Sequence, residues 1–259
     1  MGTNRRFTYI DGVYDAPPAM FNVTNNASIT AADNQEDGFL TQRGDYFSVY
    51  QQCDAIQSLI FRRAATGWAI FDLDTNADSI EITQGITATA TNMQFTVGSA
   101  SDPGDAFYMK VTLKNPDFSI YDVAAIGFRK LAAYADVADQ AALGTAYEDV
   151  AFLNLNGATA TATSVDIVSV TRLAAGTADL DEEEADYAVD DTAISLEVYV
   201  TAAGVVTFKV DGSDVTGGAN DLTLTDNAVM IPTMIFTATG DSNAIEAEIV
   251  SYECGLTQG

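Results

Sequence analysis

Histidine is absent from all 259 residues, and cysteine occurs only twice. Without imidazole there is no Ser-His-Asp or Cys-His mechanism. Every zinc site that needs a histidine is excluded, and two thiols cannot build a four-cysteine site. Basic residues are scarce as well: 11 Lys and Arg stand against 37 Asp and Glu, a formal net charge of -26. Folded chains of this mass expose roughly 11,000 Å². A surface so acidic repels phosphate backbones and anionic lipid, so no nucleic-acid partner and no membrane partner is expected. No apolar run reaches bilayer length, and no apolar stretch follows the N-terminal Met1–Arg6, so the sequence reads as lacking a secretory leader.

What is present describes an ordered globular chain. Hydrophobic residues make up 47% and aromatics 10%, too many for an acidic disordered chain. The charge is uneven: residues 1–130 hold 15 acidic and 9 basic residues, residues 131–259 hold 22 and 2. Five of the seven arginines (Arg5, Arg6, Arg43, Arg62 and Arg63) precede residue 64. The densest acidic run, Asp179–Asp186, reads as a solvated loop.

Hydrophobic period two dominates. Ile194–Val200 and Val205–Val210 alternate on either side of Thr201–Gly204 and form a predicted hairpin, closed at its far end by the turn signal Asp211-Gly212. Further strands are expected at 58–62, 67–73, 80–84, 93–97, 107–113, 124–128, 150–155, 164–172, 221–224, 229–238 and 244–253. Helical turns are expected only within Lys130–Leu143 and at Asp33–Gly38. Many short strands between Gly, Asn, Asp and Pro clusters predict an all-β sandwich or jelly roll. Residues 1–50 differ, with Pro17-Pro18, scattered aromatics and arginines. They are expected to be an interface-forming N-terminal arm, with the sandwich over 51–259. Its candidate partner-binding residues are Arg5, Arg6, Phe7, Tyr9, Tyr14, Phe21 and Arg43, because interfaces enrich arginine and aromatics.

Two other constellations carry chemistry. Asp72, Asp74, Asn76 and Asp78 place oxygen ligands at alternate positions, the opening of a calcium loop. Ala77 and Thr83 stand where an EF-hand needs Gly and Glu, so the match is partial, and no other cofactor is expected. Trp68, the lone tryptophan, reads as a core aromatic or as a sugar-stacking platform.

The series Ala124–Lys130, Tyr134, Tyr147-Glu148-Asp149, Val205–Gly212, Val229–Pro232 and Ser251–Leu256 resembles a group of virion proteins of aquatic tailed bacteriophages with a concanavalin A-like jelly roll. That resemblance covers about residues 55–259. It implies a non-enzymatic structural protein at the virion surface, made in the host cytoplasm. The leading reading is a capsid decoration (cement) protein, a homo-oligomer bound to the major capsid protein or other virion proteins. The alternatives are a lectin-like adhesin for host glycans and a tail or neck component. Glycosidases of this jelly roll resemble one another in a Glu-x-Asp-x-x-Glu strand, which Glu246-Ala247-Glu248 does not match, so no enzyme is expected. The resemblance also implies neighbouring first and last strands, which leaves Cys53 and Cys254 either bonded or as two buried thiols.

Overall fold

In the computed structural model, residues 5–8, 19–22, 35–42, 45–52, 62–63, 68–70, 79–87, 90–91, 93–114, 121–135, 137–161, 164–173, 176, 179–188, 193–215, 222–238 and 247–257 are described. The strands are β1 (Arg5–Thr8), β2 (Ala19–Asn22), β3 (Gln35–Gln42), β4 (Asp45–Gln52), β5 (Arg62–Arg63), β6 (Trp68–Ile70), β7 (Ser79–Thr87), β8 (Ala90–Thr91), β9 (Phe95–Thr96), β10 (Phe107–Lys114), β11 (Tyr121–Lys130), β12 (Val150–Thr161), β13 (Ser164–Arg172), β14 (Asp179–Ala188), β15 (Ile194–Val200), β16 (Val206–Val210), β17 (Ser213–Asp214), β18 (Val229–Ala238) and β19 (Ala247–Leu256). Among the described residues one short helix, α1 (Gln140–Ala146), lies between β11 and β12.

Two antiparallel sheets form the expected all-β sandwich. The eight-stranded sheet runs β17-β16-β15-β10-β19-β6-β5, with β1 also on β19. The eleven-stranded sheet runs β14-β13-β12-β11-β18-β7-β4-β3-β2, with β8 on β7 and β9 on β18. The first and last strands are neighbours: Arg5 stands opposite Cys254 and Phe7 opposite Tyr252.

Alternation sends one face of each sheet inward. On β10, Phe107, Met109, Val111 and Leu113 are buried while Tyr108, Lys110, Thr112 and Lys114 are half-buried. Phe107 of one sheet meets Phe128 of the other edge-on at 4.8 Å between centroids, and Phe95 stacks on Phe107 at 4.6 Å. Cys254 lies in this core as a free thiol, and burial pushes its ionisation far above the ordinary range. Cys53 is outside the described residues.

The eleven-stranded sheet is covered on its outer face too. Val123, Ala125, Val150, Phe152, Val168 and Val170 pack there against Val137, Leu143 and Tyr147 from the segment between β11 and β12. Asp139 caps α1, its carboxylate accepting from the Ala142 amide at 2.6 Å. Pro232 is tolerated inside β18 because its position falls between two partners: β9 pairs with Val229 and Met230, and β7 with Thr233–Thr237.

The β15–β16 hairpin forms as expected, with Gly204 at φ 81°. Asp211 and Gly212 both have positive φ, 49° and 80°, the primed turn that follows the twist of a hairpin. Four expectations need correction. Asp179–Asp186 is no loop but most of β14, which pairs with β13 and is the last strand of its sheet among the described residues. Gln35–Gly38, placed in a helical turn, opens β3 because it pairs with β4. The helix begins at Gln140, where the Asp139 cap sits, so only the end of Lys130–Leu143 is helical. The strand expected at 221–224 contributes a single bridge, Val205 to Thr223. In addition, β4 runs across the boundary drawn at residue 50, and β1 to β4 are hydrogen-bonded into both sheets.

Two glycines distinguish turn strain from steric closure. A Cβ on Gly127, at φ 154°, would lie 2.1 Å from the Ala151 carbonyl oxygen, whereas one on Gly212 would meet nothing. Gly212→Ala is expected to cost about 1 kcal/mol in urea unfolding, the strain of a positive φ alone. Gly127→Ala is expected to cost several times that, because β12 must move away. Equal costs would contradict the close approach.

Candidate functional site

The outer face of the eight-stranded sheet collects chemistry from distant parts of the chain. Strand pairing places Asp214 opposite Lys209, Lys209 opposite Glu197, Glu197 opposite Lys110, Lys110 opposite Glu253 and Glu253 opposite Arg6. Charges of alternating sign therefore form one row across six strands, and directly opposite unlike charges favour that register. The Lys110 ammonium donates to Glu197 Oε1 at 2.7 Å, and the Tyr199 hydroxyl donates to Glu197 Oε2 at 2.7 Å. Glu197 is only 3% exposed. One row along, Tyr108 and Tyr199 stack with centroids 5.7 Å apart and an interplanar angle of 16°. The Tyr108 hydroxyl donates to Glu253 Oε1. Lys209 Nζ lies 5.2 Å from the centre of the Tyr199 ring. On the opposite side of the charged row, Ser251 donates to Thr112 at 2.9 Å.

Burial, then the hydrogen bond to Glu197, raises the Tyr199 phenol from 10.0 to about 12. Tyr108 is raised further, first by burial and then by its bond to Glu253. Both phenols are thus held as donors to fixed carboxylates.

The two sheets differ in charge. The strands of the eight-stranded sheet contain Arg5, Arg6, Arg62, Arg63, Lys110, Lys114 and Lys209, seven of the chain's 11 basic residues. They contain only Glu197, Asp214, Glu248 and Glu253 of its 37 acidic ones. In the other sheet, β14 alone holds six carboxylates.

A second polar cluster is sealed beneath the cover of the eleven-stranded sheet. Arg129 is 0% exposed, and its Nε donates to Glu81 Oε1 at 2.6 Å. Its Nη1 donates to the Lys130 and Ala132 carbonyls at 3.1 Å each, and the Tyr147 ring lies 4.3 Å from its guanidinium carbon. The Tyr147 hydroxyl donates to Glu81 Oε2 and accepts from the Ala135 amide at 2.8 Å. Burial raises Glu81, with Arg129 opposing it, and burial with Glu81 raises Tyr147. Arg129 Nη2 has no hydrogen-bond partner among the described residues. This triad is closed to solvent and serves as a clamp holding the cover to β7 and β11.

The expected site residues are dispersed. Arg5, Arg6 and Phe7 lie in β1, and Phe21 lies in β2 opposite Phe39. Tyr9, Tyr14 and Arg43 lie outside the described residues. So do the candidate calcium ligands Asp72, Asp74, Asn76 and Asp78, and among the described residues no cluster of carboxylates suits a metal. Trp68 stands in β6 opposite Ile249, a core residue, and opposite Arg63. Glu248 pairs with Lys114 and Ala69 in the same sheet. The tyrosine–carboxylate face was not anticipated. The available signal was the polar set Tyr108, Lys110, Thr112 and Lys114 alternating with core residues.

No known protein family matches the sequence, and no curated protein does. Solved structures with a similar chain path include an alginate lyase from Pseudomonas aeruginosa (TM-score 0.49, 10% identity, 78% of this chain and 87% of that one). The carbohydrate recognition domain of Emp47p aligns at TM-score 0.48 and 8% identity over 95% of this chain and 100% of that one. Peanut lectin aligns at 0.45 and 11% over 99% and 98%. Lectins and enzymes alike are thus among the proteins this chain is similar to.

Glu81→Gln strands Arg129 in the interior and is expected to cost about 3–5 kcal/mol in urea unfolding. Replacing both partners by apolar residues, Glu81→Leu with Arg129→Met, is expected to restore most of that. A single variant of near wild-type stability would mean the clamp is not formed. For Tyr199, folded-state ionisation lies above the unfolded value, so its contribution is whole below pH 10.0 and is lost as pH rises through about 12. Ultraviolet titration of wild type minus Tyr199→Phe should show the missing phenol ionising near 12.

Proposed function

We propose that this chain is a non-catalytic carbohydrate-recognition module whose binding face is the outer face of the eight-stranded sheet. The observation that carries the reading is the half-buried Tyr108–Tyr199 stack bordered by fixed polar groups. Stacked phenols offer an apolar surface to the C–H face of a sugar, while their rims and the neighbouring Lys, Glu, Ser and Thr offer hydrogen bonds to hydroxyls. The two carboxylates beside the tyrosines are already engaged: Glu197 is shut from solvent between Lys110 and Tyr199, and Glu253 accepts from Tyr108. They position donors and are not a free acid–base pair across a cleft. Among the described residues this face holds no carboxylate cluster suited to calcium.

The division of charge between the sheets favours a second setting for the same module, on a virion. There the less acidic sheet would face the shell or a neighbouring copy, and the acidic edge of β14 would face water. The partners would be capsid or other virion proteins, as the motif series from Ala124 to Leu256 implies. Copy number in purified particles tests this: hundreds per particle support decoration, a dozen or fewer place the chain in the tail or neck, and none removes the reading.

For the glycan reading, Tyr199→Ala and Tyr108→Ala are each expected to weaken binding to an array-selected glycan by about tenfold or more, with binding unchanged by chelator. Retention in both variants, or loss on chelation, would move the site elsewhere, the latter to the Asp72–Asp78 segment.

A further inference from the structure

We infer that the ligand of this face is an acidic glycan, a polymer of carboxylated sugars, with Lys209 as the group that takes the sugar carboxylate; this rests on the glycan reading above. Charge on the face divides into committed and uncommitted groups. Lys110 is bound to Glu197 at 2.7 Å, and both carboxylates of the tyrosine row already accept hydroxyl donors. Lys209 differs. Its ammonium lies over the Tyr199 ring, 5.2 Å from the centroid, and no carboxylate of a described residue is within ion-pair distance of it. The uncommitted charge beside the aromatic platform is therefore positive. A sugar seated against the edge of the Tyr108–Tyr199 pair, beside Lys209, would present its carboxylate to this ammonium.

A neutral sugar needs no such cation, and a cationic one would be repelled by it. The net charge of -26 does not forbid an anionic ligand at this point. At physiological ionic strength the screening length is about 8 Å, so the charges that count are those near Lys209. Those are Glu197, compensated by Lys110, and Asp214, across the strand pair. The same sheet holds most of the chain's basic residues, so the anion approaches the least repulsive side of the molecule.

The test uses the full chain, with polygalacturonate and its methyl ester as probes, which share one backbone and differ in carboxylate charge. Calorimetry or affinity electrophoresis is expected to show about tenfold tighter binding of the acid form, a charge-assisted contact. Lys209→Gln should abolish that preference, and Lys209→Arg should keep it. Circular dichroism confirms that the variants fold. Equal binding of acid and ester, or a preference that survives Lys209→Gln, overturns the inference and leaves the glycan reading standing. If neither probe binds and no neutral glycan on an array binds, both fail.

Discussion

The contact between Phe107 and Phe128, with Phe95 stacked against the first, ties the two sheets together. It sets the depth of the core, because each ring comes from a strand at the middle of its sheet or lies directly beside one. Everything outward of it follows from period two. Once Phe107, Met109 and Val111 are inside, Tyr108, Lys110 and Thr112 must be outside. The proposed binding face is thus the reverse side of the core, positioned by the packing beneath it.

The two outer faces have opposite fates. That of the eleven-stranded sheet is covered over β11, β12, β13 and β18 by the segment carrying α1, and Arg129 is enclosed there with Glu81 and Tyr147. Such a buried pair contributes little net stability relative to apolar packing, but it penalises any arrangement in which the cover is displaced. The other face keeps its tyrosines and lysines accessible.

Much of the fold is legible in the sequence, and the reasons are local. The limits of β13, β15 and β18 follow from alternation and flanking turn residues, and the Asp211-Gly212 turn from the backbone angles that pair tolerates. β14 was missed because hydropathy treats a run of carboxylates as loop, although an edge strand has one side that needs no apolar partner. The charged row was missed for a different reason. It joins residues as far apart as Arg6 and Glu253, and only strand order makes them neighbours. The Glu81–Arg129–Tyr147 clamp carried a faint signal, an arginine at the alternate position of an apolar strand. Nothing local says which carboxylate answers it.

The acidic edge of β14 has a consequence for how the molecule behaves in a crowd. Among the described residues this ten-residue strand pairs only with β13, and a strand open on one side is a template for a second copy of itself. Its sequence carries six carboxylates, and that like charge, an electrostatic rim, opposes the approach of two such edges while ionised. Dispersal of the chain is in this sense a property of solution acidity. Acidification that neutralises the rim would convert the same strand from a barrier into an invitation to stack, with no change of fold.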